Sequence, residues 1–236
     1  MKKLLLFSLT ITALALSGYS QNLSIGASQS DERLLIFMNL PLKQLNDTAY
    51  YYYNKNIYDT ALICFNLLIN TLGKETDLAT QKKIVNACNT LATIFTNLCD
   101  YRSAYNLLIK ALQLSEKIDY KKTIPGIYLN MGNIYSHFNN QYEVTKSYYL
   151  KALNLCQDST RMILILNNLG DLEQKNGNSD SALYFLNKAL LIGNKYQENI
   201  YFGLVFGSLA ATYVKKELYD SALYYYYQSI NIIKQT

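Results

Sequence analysis

Tryptophan is missing from this chain; proline occurs twice, histidine once and glycine ten times in 236 residues. So few breakers leave little room for the many tight turns of a β fold and favour long helices. A single histidine, His137, has no second histidine with which to build a metal cluster and no visible partner for nucleophilic chemistry. It reads as a polar surface residue. Charged residues make up 17% of the chain, below the usual quarter. The four cysteines, Cys64, Cys88, Cys99 and Cys156, show no CxxC or zinc-ligand spacing. Cys88 and Cys99 fall on one expected helix about 16 Å apart, too far to bond each other. Cys64 with Cys88 is the one pair that adjacent helices could join, against the plainer reading of buried free thiols. No phosphate-binding loop, dinucleotide fingerprint, nucleophile elbow or HExxH occurs. Neither a catalytic residue nor a cofactor or metal site is expected, and the chain does not read as an enzyme.

What fills the gap is apolar and aromatic. Half the residues are hydrophobic and 23 are tyrosine, enough for a sizeable core. Asparagine is also frequent; it is a poor helix former, so the helices must rely on packing. The net charge of +5 falls to 20 basic against 17 acidic once residues 1–20 are set aside. The lysines are scattered, in short pairs such as Lys82-Lys83 and Lys215-Lys216, whereas nucleic-acid binding needs a clustered basic face.

The first twenty residues read as an address. Lys2 and Lys3 precede an apolar run from Leu4 to Leu16, and Gly18 and Ser20 supply small residues before Gln21. This is the pattern of a cleaved secretory signal peptide. The run is shorter than the roughly 20 residues that span a bilayer. The first cysteine, Cys64, lies far from the expected cut, which argues against a lipoprotein. Nor does any later segment read as a membrane span. An exported, periplasmic protein is expected.

Beyond residue 41 the sequence repeats. An aromatic or serine, an acidic residue or arginine, then a small residue and a large apolar one recur, with the small residue at Ala61, Ala104, Thr145, Ala182 and Ala222. Successive spacings are 43, 41, 37 and 40. A second small residue precedes each, at Ala49, Ala92, Gly132, Gly170 and Ala210. Each unit reads as two antiparallel helices, the small residues marking where helix A crosses helix B. Asn54-Lys55-Asn56 and Asn176-Gly177-Asn178 read as turns between them, and Asp77, Thr123 with Pro125, and Asp158 as helix starts. The carboxylates that follow the turns (Asp59, Glu143, Asp180, Asp220) suit the N-terminus of helix B.

This pattern resembles the tetratricopeptide repeat. The best matches are Met131-Gly132-Asn133-Ile134-Tyr135 with Tyr148-Tyr149-Leu150-Lys151-Ala152-Leu153, and Asn168-Leu169-Gly170 with Asn187-Lys188-Ala189-Leu190. The period is longer than the family's 34 residues, and Thr145, Glu173 and Ser229 depart from its small, aromatic and alanine positions. The resemblance implies an all-α, right-handed superhelical solenoid of about five antiparallel helix pairs. The expected organisation is 1–20 leader, 21–41 with a capping helix near 31–40 stopped by Pro41, then units at about 42–75, 76–121, 122–157, 158–196 and 197–236.

The resemblance also implies a concave face built by the A helices. The first unit would contribute Asn46, Tyr50, Tyr53 and Asn54, the second Asn86, Asn89, Thr93, Thr96 and Asn97. The third would contribute Asn133, Ser136 and His137, the fourth Asn167, Asp171, Gln174 and Lys175. This stripe is neutral and rich in amides, which both donate and accept, so it suits an extended peptide backbone. It lacks the clustered cations of repeats that clamp a C-terminal carboxylate. A scaffold that binds a protein or peptide is expected; the alternative is a free-standing sensory module related to the ectodomains of membrane-bound regulators. The last helix, about 219–234, is expected to show an outer side carrying Tyr225, Ile232 or Tyr227, as a contact surface for a homodimer or another partner.

Overall fold

The structure, a computed structural model, describes residues 34–73, 77–138, 140–196 and 201–234. The expected leader at 1–20 and the start of the expected capping helix lie outside the described residues. The chain divides into two compact units, Met1–Leu67 and Leu68–Thr236.

In the first unit, residues 34–38 form a short helical stretch that stops ahead of Pro41. Pro41 stands at the N-cap of α1 (Leu42–Asn54), where its missing N–H costs nothing. Helix α2 (Tyr58–Leu72) begins in this unit after a turn at Asn56, and its last residues, from Leu68, are counted in the second. Ala49 and Ala61 are fully buried. The Tyr50 ring meets Phe65 edge-on at 5.1 Å, and Phe37 meets Tyr52 at 6.3 Å.

The second unit continues with four hairpins: α3 (Leu78–Asn97) with α4 (Tyr101–Lys117), α5 (Ile124–Tyr135) with α6 (Tyr142–Leu155), α7 (Ser159–Lys175) with α8 (Ser179–Tyr196), and α9 (Phe202–Lys215) with α10 (Tyr219–Ile233). Helices pack within each hairpin, and each B helix packs on the next A helix. No strand occurs among the described residues. Starts are set by side chains: Asp77, Asp100 and Asp158 accept the backbone N–H groups of Thr80, Ser103 and Arg161 at 3.0, 3.1 and 2.7 Å. Pro125 occupies the first turn of α5. Asp59, Glu143, Asp180 and Asp220 sit in the first turns of α2, α6, α8 and α10, where the helix dipole favours a negative charge.

The small residues are all buried, from Ala92 and Ala104 to Ala210 and Ala222. Two are held to glycine by the ring or branch that crosses them. A Cβ on Gly132 would run into the Tyr149 ring, and one on Gly170 would lie 2.6 Å from Leu186 Cγ. These crossings feed two apolar clusters. One joins Leu129, Tyr149, Ala152, Cys156, Ile165 and Leu169; the other joins Ile163, Leu166, Leu186, Ala189, Val205 and Leu209.

The departures from the repeat pattern have local explanations. Glu173, at a position where other units carry an aromatic, is 1% exposed. It accepts from Lys146 at 2.7 Å, Tyr142 at 2.9 Å and Asn178 at 3.0 Å. Burial alone would raise its pKa, but these hydrogen bonds and the lysine charge hold it below the ordinary carboxylate range. Ser229 replaces an alanine and donates to the Gly203 carbonyl at 2.7 Å, tying α10 to α9. Tyr225 is not on the outer side as expected. It is half-buried, stacked on Tyr213 at 5.4 Å and against Phe206 at 5.9 Å. Ile232 is likewise half-buried, whereas Tyr227 is 59% exposed. Cys64, Cys88 and Cys156 are buried free thiols, and Cys99 is an exposed one.

Candidate functional site

In the second unit, three A helices and one residue of a B helix line an open cavity of about 370 Å³. Helix α3 contributes Thr93, Thr96 and Asn97. Helix α5 and its C-terminal turn contribute Asn130, Asn133, Ser136 and His137. Helix α7 contributes Leu164, Asn168, Asp171, Leu172 and Lys175, and Tyr149 enters from α6. Of the five α7 contributors, Leu164, Asn168, Asp171 and Lys175 are spaced i, i+4, i+7 and i+11, one stripe of a helix, with Leu172 beside it.

Side-chain amides bridge the A helices. Asn130 Nδ2 donates to Asn89 Oδ1 at 3.0 Å and to Thr93 Oγ1 at 3.2 Å, joining α5 to α3. Asn168 Nδ2 donates to Asn133 Oδ1 at 2.9 Å, joining α7 to α5. The Tyr149 hydroxyl donates to the same Asn133 oxygen at 3.0 Å. Burial pushes the Tyr149 phenol up to about 12, so at neutral pH it remains a donor. These bonds fix the amides and leave Asn133 Nδ2 and Asn168 Oδ1 without a partner among the described residues. A donor and an acceptor on neighbouring helices, held in place by their own second atoms, suit a peptide bond.

Asp171 is the wall's carboxylate. Burial raises its pKa above the ordinary carboxylate range, opposed by a hydrogen bond from Ser208, the charge of Lys175 and a hydrogen bond from Asn167. His137 is exposed at the mouth, its ring 5.1 Å from Tyr101. No group of three or more His, Cys, Asp or Glu suited to a metal ion occurs among the described residues.

The expected stripe maps onto this cavity unevenly. Thr93, Thr96, Asn97, Asn133, Ser136, His137, Asp171 and Lys175 line it. Asn89 supports it from behind through Asn130, and Asn86 accepts from Thr123 at 3.4 Å. Asn167 does not reach it: the residue is 1% exposed and its Nδ2 is turned to Asp171 at 3.3 Å, so Asn168 takes the wall position. Gln174 is also off the wall, its carbonyl accepting from Lys215 at 2.7 Å. Asn46, Tyr50 and Tyr53 belong to the first unit, where Tyr50 packs on Phe65. Sequence reasoning missed Asn130, Tyr149, Leu164, Asn168 and Leu172. One signal could have found two of them: Asn130 stands two residues before Gly132 just as Asn168 stands two before Gly170.

No curated protein compared with the chain matches its sequence. Residues 125–159, from the first turn of α5 to the start of α7, match the model of the tetratricopeptide repeat. Solved structures share the fold. BtubC (BKLC) from P. vanneervenii is 18% identical with a TM-score of 0.64, over 82% of this chain and 80% of that one. A Rap protein complexed with competence and sporulation factor is 14% identical with a TM-score of 0.63, over 84% of this chain and 66% of that one. MamA is 16% identical with a TM-score of 0.52, over 79% and 95%. One unit, residues 125–159, matches the tetratricopeptide repeat directly, and consecutive helix hairpins of the same form lie on both sides of it, so the chain has the fold of tetratricopeptide-repeat proteins.

Proposed function

We propose that the chain is an exported scaffold that binds an extended segment of a protein or peptide along the amide-lined cavity of its A helices. The observation that carries this is the pair Asn133 and Asn168, clamped to each other with one amide atom each turned free. Several further facts support it. The cavity is large enough for a few residues of chain, its lining mixes amides and hydroxyls with Leu164 and Leu172, and repeats of this kind commonly present such a face to partners. Export is supported by the leader pattern of residues 1–20, and no described helix is long and apolar enough to cross a membrane. The activity proposed is recognition, without catalysis.

The test is binding to a randomised peptide library, followed by anisotropy titration of the best sequences. Asn133→Ala and Asn168→Ala should each weaken binding about five- to tenfold, the worth of a hydrogen bond to a desolvated amide. Circular dichroism should be unchanged. Tight peptides that bind both variants as well as the wild type would place recognition elsewhere. Protein recovered from the native host should begin at Gln21; an intact Met1 would refute export by cleavage.

A further inference from the structure

Helix α10 shows solvent a continuous apolar strip. Tyr219, Leu223, Tyr226, Tyr227 and Ile230 are 64%, 54%, 42%, 59% and 46% exposed. Their spacing of i, i+4, i+7, i+8 and i+11 puts all five on one face. The strip is shaped to receive a helix. Leu223 and Ile230 stand at the repeat positions of Leu183 and Leu190 on α8, which pack against the cluster holding Val205 and Leu209 of α9. On α4 the counterpart of Tyr219 is Tyr101, whose ring meets His137 and Phe138 of the following hairpin at 5.1 Å each.

The strip also carries its own complement. Asp220 lies at its N-terminal end and Lys234 just past its C-terminal end, both exposed and neither in an ion pair among the described residues. Two such helices laid antiparallel about an axis at Tyr226–Tyr227 match everywhere. Leu223 meets Ile230, the tyrosine rings meet across the axis, and Asp220 comes beside the last turn that carries Lys234. A parallel arrangement would put Asp220 against Asp220. The geometry points to a second copy of this chain as the occupant, docked α10 to α10 about a two-fold axis.

Five half-exposed large side chains cover about 500 Å² per copy, taking about 100 Å² for each. The total of about 1,000 Å² sits at the lower edge of specific interfaces, so the dissociation constant should be on the order of 10–100 µM. Sedimentation equilibrium of the purified protein from about 5 to about 200 µM brackets that range. The wild type should pass from monomer to dimer. Leu223→Lys with Tyr227→Lys should remain monomeric throughout while keeping its helical circular dichroism. Lys234→Glu should weaken the dimer by setting like charges opposite each other, and adding Asp220→Lys should restore it. If the double lysine variant loses its helices, the charge-reversal series decides, since it changes only exposed groups. A wild type monomeric at the highest concentration would overturn the proposal. So would a dimer indifferent to Leu223→Lys with Tyr227→Lys, or a reversed pair no tighter than Lys234→Glu alone.

Discussion

At Asp171 burial and charge pull in opposite directions. Its carboxyl is held in the cavity wall where burial disfavours the charge, and the Ser208, Lys175 and Asn167 contacts do not fully offset that. A carboxylate whose folded pKa is raised is a liability above that pKa, because the unfolded chain ionises it more easily. The sign follows: the cost is fully present at neutral pH, shrinks as the pH falls through the folded pKa, and vanishes below the unfolded value of about 3.9. Asp171→Asn should therefore raise the melting temperature at pH 7, and the gap between variant and wild type should close on acidification towards pH 4. A variant less stable than the wild type at pH 7 would show that Ser208 and Lys175 do more for this group than burial costs it. Glu173, two residues and about 200° of helix rotation further along yet wholly inside, shows the opposite arrangement, with Lys146, Tyr142 and Asn178 gathered round one carboxylate. Neither environment is legible in the sequence. Glu173 simply stood where an aromatic was expected, and nothing local announced that Lys146, from the preceding hairpin, would meet it. The choice between Asn167 and Asn168 turns on about 100° of helix rotation. Composition cannot set that angle; the glycines two residues after Asn130 and Asn168 can.

Among the elements, the turns are the most uniform feature. Asn56, Cys99, Asn140, Gly177 and Glu217 all have positive φ, each five residues ahead of the small residue of its B helix. At four of them the chain closes with a paired cap: the N–H of Glu217 donates to the Val214 carbonyl at 3.0 Å and that of Leu218 to Tyr213 at 3.0 Å, with matching pairs at Asn56, Cys99 and Gly177. Such a site suits glycine or asparagine. Asn56, Asn140 and Gly177 satisfy it, which is why those turns could be read from the sequence; Cys99 and Glu217 do not, and the sequence gives no sign of them beyond the repeat spacing. Glu217 bears a side chain in a left-handed conformation that costs roughly 1–2 kcal/mol, partly returned by the stiffer unfolded chain. Glu217→Gly should therefore stabilise by up to about 1 kcal/mol in urea unfolding. The crossings give the opposite case. Gly132→Ala would drive a methyl into the Tyr149 ring, which is itself anchored to Asn133. A loss of about 1–3 kcal/mol is expected, together with weaker peptide binding as Asn133 shifts. The helix pairs and their crossings were legible because close approach admits only small residues at a fixed period. Which flank of each A helix faces the cavity was legible in part: Thr93, Asn133 and Asp171 were expected on the wall, whereas Asn130, Leu164 and Asn168 were not.

On the scale of the whole molecule, charge separates the proposed mode of binding from its main rival within this fold. The chain carries 22 basic and 17 acidic residues, a mild excess, and its cations are dispersed or already engaged. Lys146 is bonded to Glu173, Lys216 to Asp180 at 2.6 Å, and Lys215 to the Gln174 carbonyl. The cavity itself holds one carboxylate, Asp171, and one lysine, Lys175, four residues apart on α7 and able to screen each other. In the proposed mode, recognition there comes from amide and hydroxyl hydrogen bonds and from contact with Leu164 and Leu172. Neutral hydrogen bonds are nearly indifferent to ionic strength, whereas attraction between exposed charges fades once the Debye length falls from about 14 Å towards about 4 Å. The affinity for an uncharged peptide selected on this protein should thus change by less than about threefold between roughly 0.05 and 0.5 M NaCl. Peptides with a free and with an amidated C-terminus should bind alike. Calorimetry at the two salt concentrations gives the answer. A fall of tenfold or more, or a clear preference for the free carboxylate, would assign recognition to Lys175 and the surrounding lysines and take it away from Asn133 and Asn168.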